Sequence, residues 1–143
     1  MELPSELFGD VVNEGELYFF MSDCPIGISD HIHVCIKHHD KILMFSTCSS
    51  QIDTAIRVAM LRGYDINIFP VLLQDNVNKF RKPQTYINCN NVIEISSSEF
   101  GDLIKEGQIR RLDGKIDNNG MQLIAKGVKL SPDVPLRIKR LFE

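Results

Sequence analysis

Four histidines and a run of hydroxyl side chains crowd into one short part of this chain, between His31 and Gln51. His31 and His33 are separated by one residue, so on a β-strand they project from the same face, about 7 Å apart. An imidazole can take or give a proton near neutral pH. Two of them on one face suit cleavage of an RNA phosphodiester by its own ribose. One ring takes the 2′-hydroxyl proton, the other protonates the leaving 5′-oxygen, and donors or cations stabilise the phosphate. Ser46, Thr47, Ser49 and Ser50 are the candidate donors to the phosphate oxygens. Arg57, Arg81 and Lys82 are the candidate cations.

Other chemistry is open to the same residues. His31, His33 and Cys35 alternate on one strand face, and with Cys24 they form a set of zinc-ligand types. They lack the close-spaced ligand pairs of a structural zinc site, and no metal or other cofactor is expected. A nucleophilic cysteine is a weaker reading, because a free cysteine is commonly a small buried apolar residue. Lys79-Phe80-Arg81-Lys82 interleaves cations with one aromatic, as surfaces for single-stranded nucleic acid do.

These residues need strands and turns to hold them. Gly15 opens a predicted strand over Glu16–Ser22, and Pro25 and Gly27 mark the following segment, 23–30, as a loop. A second strand covers His31–Lys37, with the Ile32, Val34 and Ile36 face towards the core and the histidine face away from it. A tight turn at His38-His39-Asp40 leads into a third strand over Lys41–Thr47. Ile52, Ile56, Met60 and Leu61 recur at helical spacing after Ser50, and Gly63 ends that helix. If the run Ile66–Leu73, interrupted by Pro70, is a strand, it lies at a sheet edge or ends there. One strand with a bulge at Asn90-Asn91 is expected over Thr85–Ile95. Ser96-Ser-Ser-Glu99 is a capping box ahead of a helix, and Asp113-Gly114 is a turn signal. Met121–Val128 and the segment after Asp133 read as helices. Strands come first and helices later, which is an α+β order in a single domain over residues 1–143.

Composition bounds the rest. With 143 residues, 43% hydrophobic and 24% charged, the chain can bury a core and does not have a disordered composition. No apolar run is long enough for a membrane helix, and the acidic N-terminus lacks a signal-peptide pattern, so a cytoplasmic setting with reduced thiols is expected. Residues 1–72 carry a net charge of −6 and residues 73–143 carry +3, with basic clusters at 79–82, 110–111 and 137–140.

Gly15-Glu-Leu-Tyr18, the Pro25 and Gly27 loop, His33-Val-Cys-Ile36 and Ser49-Ser-Gln51 together resemble the PemK/MazF family of toxin endoribonucleases, in the superfamily shared with CcdB. The resemblance implies a small curled antiparallel sheet of SH3-like barrel type with short helices. It also implies a homodimer, an antitoxin partner and RNA as substrate. The family's catalytic threonine would fall on Ser49, or on Thr47 two residues earlier, and Gln51 would join the substrate contacts. The family's Arg-Pro pair at the start of the second strand is replaced here by His31-Ile32. Two alternatives follow: a CcdB-like toxin that poisons a protein without catalysis, or a module that binds protein or nucleic acid.

Overall fold

A computed structural model describes residues 4–24, 27–73 and 83–143. Helix α1 (Ser5–Asp10) leads into β1 (Glu16–Cys24), β2 (Gly27–His39) and β3 (Ile42–Ser49). Then come α2 (Ile52–Arg62), a 3₁₀ turn at Ile66–Ile68, β4 (Val71–Leu73), β5 (Gln84–Ile87) and β6 (Ile93–Ser96). The chain finishes with α3 (Ser97–Lys105), β7 (Arg110–Lys115), α4 (Asn118–Leu130), α5 (Leu136–Lys139) and a 3₁₀ turn at Arg140–Phe142. This is an α+β fold with short helices around one antiparallel sheet, as the sequence pattern implies. The sheet runs β4-β5-β3-β2-β1-β7 and, among the described residues, does not close on itself. The edge of β3 away from β2 is shared: its first half pairs with β6 and its last residues with β5.

Three local expectations are corrected. Most of the segment 23–30 is strand, because β1 and β2 stay paired out to Cys24 and Gly27. Pro25 lies outside the described residues. The expected strand over 85–95 is two strands, separated at Cys89–Asn91, which lets each pair with a different part of β3. Asp113-Gly114 makes no hairpin; it sits inside β7, where the register to β1 jumps from Leu17↔Leu112 to Glu16↔Lys115. Gly114 has φ 111°, a conformation that suits glycine at a bulge. The β2–β3 turn is Asp40-Lys41, with φ 51° and 62°, so two non-glycine residues hold the left-handed conformation of a two-residue hairpin turn.

The sheet is covered on both faces. One face packs Leu17, Val34, Ile36, Met44 and Cys48 against Ile124, Val128, Val134 and Ile138 of the C-terminal helical region. The other packs Tyr18, Phe20, Cys35, Leu43 and Phe45 against Val12, Phe100 and Ile109. Apolar α3 needs a surface to bury its stripe, and it takes the face that carries His33. That face is therefore a core face, contrary to the expectation that the histidines lie on the non-core side. The Phe45 ring stacks on Phe100 at 5.6 Å, and edge contacts from Tyr18 and Phe20 complete the group.

Candidate active site

Strand register decides which of the candidate residues meet. Tyr18 lies opposite His33 and Phe20 opposite His31; across the next strand, His33 lies opposite Thr47. Ser49 in turn lies opposite Tyr86 of β5. Side chains two apart on a strand share a face, so Ser22, His31, His33, Thr47, Ser49 and Tyr86 line one face across four strands. The aromatic cover of Phe45 and Phe100 ends beside Phe20. At the far side the Tyr86 ring meets Phe69 at 5.7 Å, under the part of α2 that buries Ala55 and Ala59. Between these covers Ser22, His31, Thr47 and Ser49 are half-buried.

The two histidines differ sharply. His33 has no exposed surface, and its ring stacks on Phe20 with centroids 3.6 Å apart and planes within 9°. Its Nδ1 lies 2.9 Å from the His31 carbonyl oxygen and its Nε2 lies 2.7 Å from Ser22 Oγ. A carbonyl only accepts, so Nδ1 carries the ring proton and donates it there. Nε2 is then an acceptor, and the Ser22 hydroxyl donates to it. Burial penalises the charged ring and lowers its pKa to about 4, against a smaller opposing effect of the bond to the His31 carbonyl. His33 is thus a neutral, hydrogen-bonded core histidine near pH 7. His31 stands 6.4 Å from it, ring to ring, and is only half-buried.

The hydroxyls divide as well. Ser46 lies opposite Val34, on the other face, fully buried, and its hydroxyl donates to the Asn91 carbonyl at 3.3 Å. It does not join His31. Ser49 Oγ accepts from the Gln51 N–H at 3.2 Å, which shapes the turn into α2 and leaves the hydroxyl proton for an outside acceptor. Ser50 and Gln51 are exposed in that turn. Arg57 is exposed on α2; helical geometry turns it about 200° from Ala55 and Ala59, the residues that face the sheet. Arg81 and Lys82, with the rest of the 79–82 cluster, lie outside the described residues.

The face therefore gathers His31, Thr47 and Ser49 of the expected set, takes His33 into the core and leaves out Ser46 and Arg57. It adds Ser22, which reading 23–30 as a loop conceals; continued β1–β2 pairing is the signal that brings Ser22 beside His33. The thiols are set for packing: burial pushes Cys35 up to about 12 and raises Cys48 and Cys89 further. Among the described residues, no three His, Cys, Asp or Glu side chains come together as a metal shell would need. A separate groove, lined by Asn13, Glu14, His38, Asp40 and Lys115, lies near the Asp40-Lys41 turn. The His38 ring donates there from Nδ1 to the Val12 carbonyl at 2.8 Å, and its backbone N–H donates to Glu14. The open histidine face is the better chemical candidate, because half-buried hydroxyls and an imidazole share it across neighbouring strands. No helix among the described residues is long and apolar enough to cross a membrane. Comparison with protein-family models, curated proteins and solved structures finds no match for the chain.

Proposed function

We propose that this protein is a toxin-type endoribonuclease that cleaves single-stranded RNA in the cytoplasm by attack of the ribose 2′-hydroxyl. The observation that carries the reading is the alignment of half-buried His31, Thr47 and Ser49 on one face of neighbouring strands. The resemblance of Gly15–Tyr18 and Ser49–Gln51 to the PemK/MazF toxins supports it from the sequence side. His31 takes the 2′-hydroxyl proton as the oxygen attacks phosphorus. The bond to the 5′-oxygen breaks, a 2′,3′-cyclic phosphate forms, and water supplies the proton that the leaving oxygen needs. Thr47 and Ser49 donate hydrogen bonds to the non-bridging oxygens, where charge builds in the transition state. His33 holds its neighbours in place and transfers no proton. A homodimer and an antitoxin that covers this face belong to the same proposal.

A second reading is binding without cleavage. It is favoured by one observation: the burial of His33 leaves a single imidazole of the expected pair on the open face. One experiment separates the two. Purified protein is incubated with a long single-stranded RNA in EDTA, beside His31→Ala and Ser49→Ala. Discrete fragments ending in cyclic phosphate, reduced about 100-fold or more in His31→Ala, are expected. Intact RNA bound by the wild type would replace cleavage with binding. Intact, unbound RNA together with growth arrest on expression would point to a poison of a protein target.

A further inference from the structure

Ser22 occupies an unusual position among the polar groups of the open face. Its hydroxyl has one proton and two acceptor lone pairs. That proton is committed to His33 Nε2 at 2.7 Å, because His33 Nδ1 already donates to the His31 carbonyl at 2.9 Å. A flip of the ring within its stack on Phe20 would put carbon atoms where the two nitrogens stand and lose both bonds. Whatever meets Ser22 from the open side therefore meets an oxygen that accepts and does not donate. A phosphate oxygen has no proton to give and gains nothing there. A ribose 2′-hydroxyl, in contrast, is a donor, and it is the group that RNA has and DNA lacks.

We infer that Ser22, held as an acceptor by buried His33, binds the ribose 2′-hydroxyl and makes the open face selective for RNA over DNA. This rests on the RNA reading of the same face and adds the group that is recognised. Thr47 and Ser49 face the phosphate with hydroxyl protons, whereas Ser22 faces the sugar with lone pairs, so the two parts of the face sort the two parts of a nucleotide. Ser22 adjoins His31 through the β1–β2 register, in which Phe20 pairs with His31. A 2′-hydroxyl that donates to Ser22 is thereby held beside the imidazole assigned to remove its proton.

The test uses two short single-stranded oligonucleotides of one sequence that differ at the ribose. One carries 2′-amino groups, which still donate; the other carries 2′-fluoro groups, which cannot donate and cannot be cleaved by 2′ attack. Binding of each is read by fluorescence anisotropy at pH 8 for the wild type, Ser22→Ala and Ser22→Thr. The wild type should prefer the 2′-amino oligomer about fivefold more than Ser22→Ala does, the worth of one hydrogen bond. Ser22→Thr keeps the hydroxyl on a side chain suited to a strand, and it should restore the preference. Equal preference in wild type and Ser22→Ala, with both bound, overturns the role of Ser22 and leaves the RNA reading standing. No binding of either oligomer to the wild type overturns both. Melting curves for all three proteins show whether each is folded at the assay temperature.

Discussion

Phe45 and Thr47 are two residues apart on one strand and project from the same face, yet they do opposite work. Phe45 has no exposed surface and touches the rings of Tyr18, Phe20 and Phe100. Thr47 is half-buried beside His33, where the cover from α3 has run out. The same contrast in burial separates His33, with no exposed surface, from half-buried His31. Alternation along a strand thus says which residues share a face, but not how far along that face a helix will lie. At the covered end the side chains hold the sheet to α3. At the open end the polar side chains are only half-buried.

The largest expected effect tests the covered end. Phe45→Ala should cost about 4 kcal/mol in denaturant unfolding, since it removes a fully buried ring packed against three others. Thr47→Ala should cost under about 1 kcal/mol in the same measurement. Equal costs would erase the distinction between the two ends.

A pH series tests the boundary, where His33 sits. Its folded pKa of about 4 lies below the 6.5 of an unfolded histidine, so the unfolded state takes up the proton first as pH falls. The stability that His33 contributes is whole above pH 6.5, is lost progressively down to about pH 4, and changes no further below it. The loss should approach about 3 kcal/mol, and His33→Phe, which keeps an aromatic plane against Phe20, should remove that part of the pH dependence. An unchanged slope in His33→Phe would place the titration elsewhere.

The smallest effect sharpens the comparison from the far side of the covered end. Lys41 holds φ 62° in the turn, and its carbonyl accepts the Ser97 N–H that opens α3. Lys41→Gly fits that conformation without strain and should stabilise the protein by roughly 0.5–1 kcal/mol, read from the unfolding midpoint. The hairpin-to-α3 contact depends on the backbone, so the variant should leave it intact. A destabilised Lys41→Gly would mean that the lysine side chain, and not turn geometry, holds this corner.

Much of the fold could be read along the chain because its signals are local. Ser96 does cap α3, accepting from the Glu99 N–H at 3.1 Å; of the run 66–73, Ile66–Ile68 is a 3₁₀ turn and only Val71–Leu73, after Pro70, is a strand, at the sheet edge. The misread segments share one cause, which is pairing with a distant strand. Gly114 bulges because β7 must fit β1, and residues 85–95 divide because β3 offers two partners' worth of edge. In the candidate site, the sequence offered His31 by alternation and Thr47 and Ser49 only among four hydroxyls, and the strand register brings the three to one face. Ser22 could not be found from spacing, since only the long β1–β2 hairpin brings it to His33.

By itself, then, the sequence determined the α+β order and which side chains alternate onto one face within β2 and within β3, because these follow from periods of two and 3.6 along one segment. The tertiary structure alone decided which histidine is core. α1 and α3 approach until a side chain on Gly101 would strike the Ser5 carbonyl oxygen, and α3 lays Phe100 over Tyr18, Phe20 and Phe45. Burial then makes His33 neutral and commits both its nitrogens, while two residues earlier His31 keeps part of its surface in water. Desolvation depends on what the rest of the chain lays over a residue, and no local spacing carries that information.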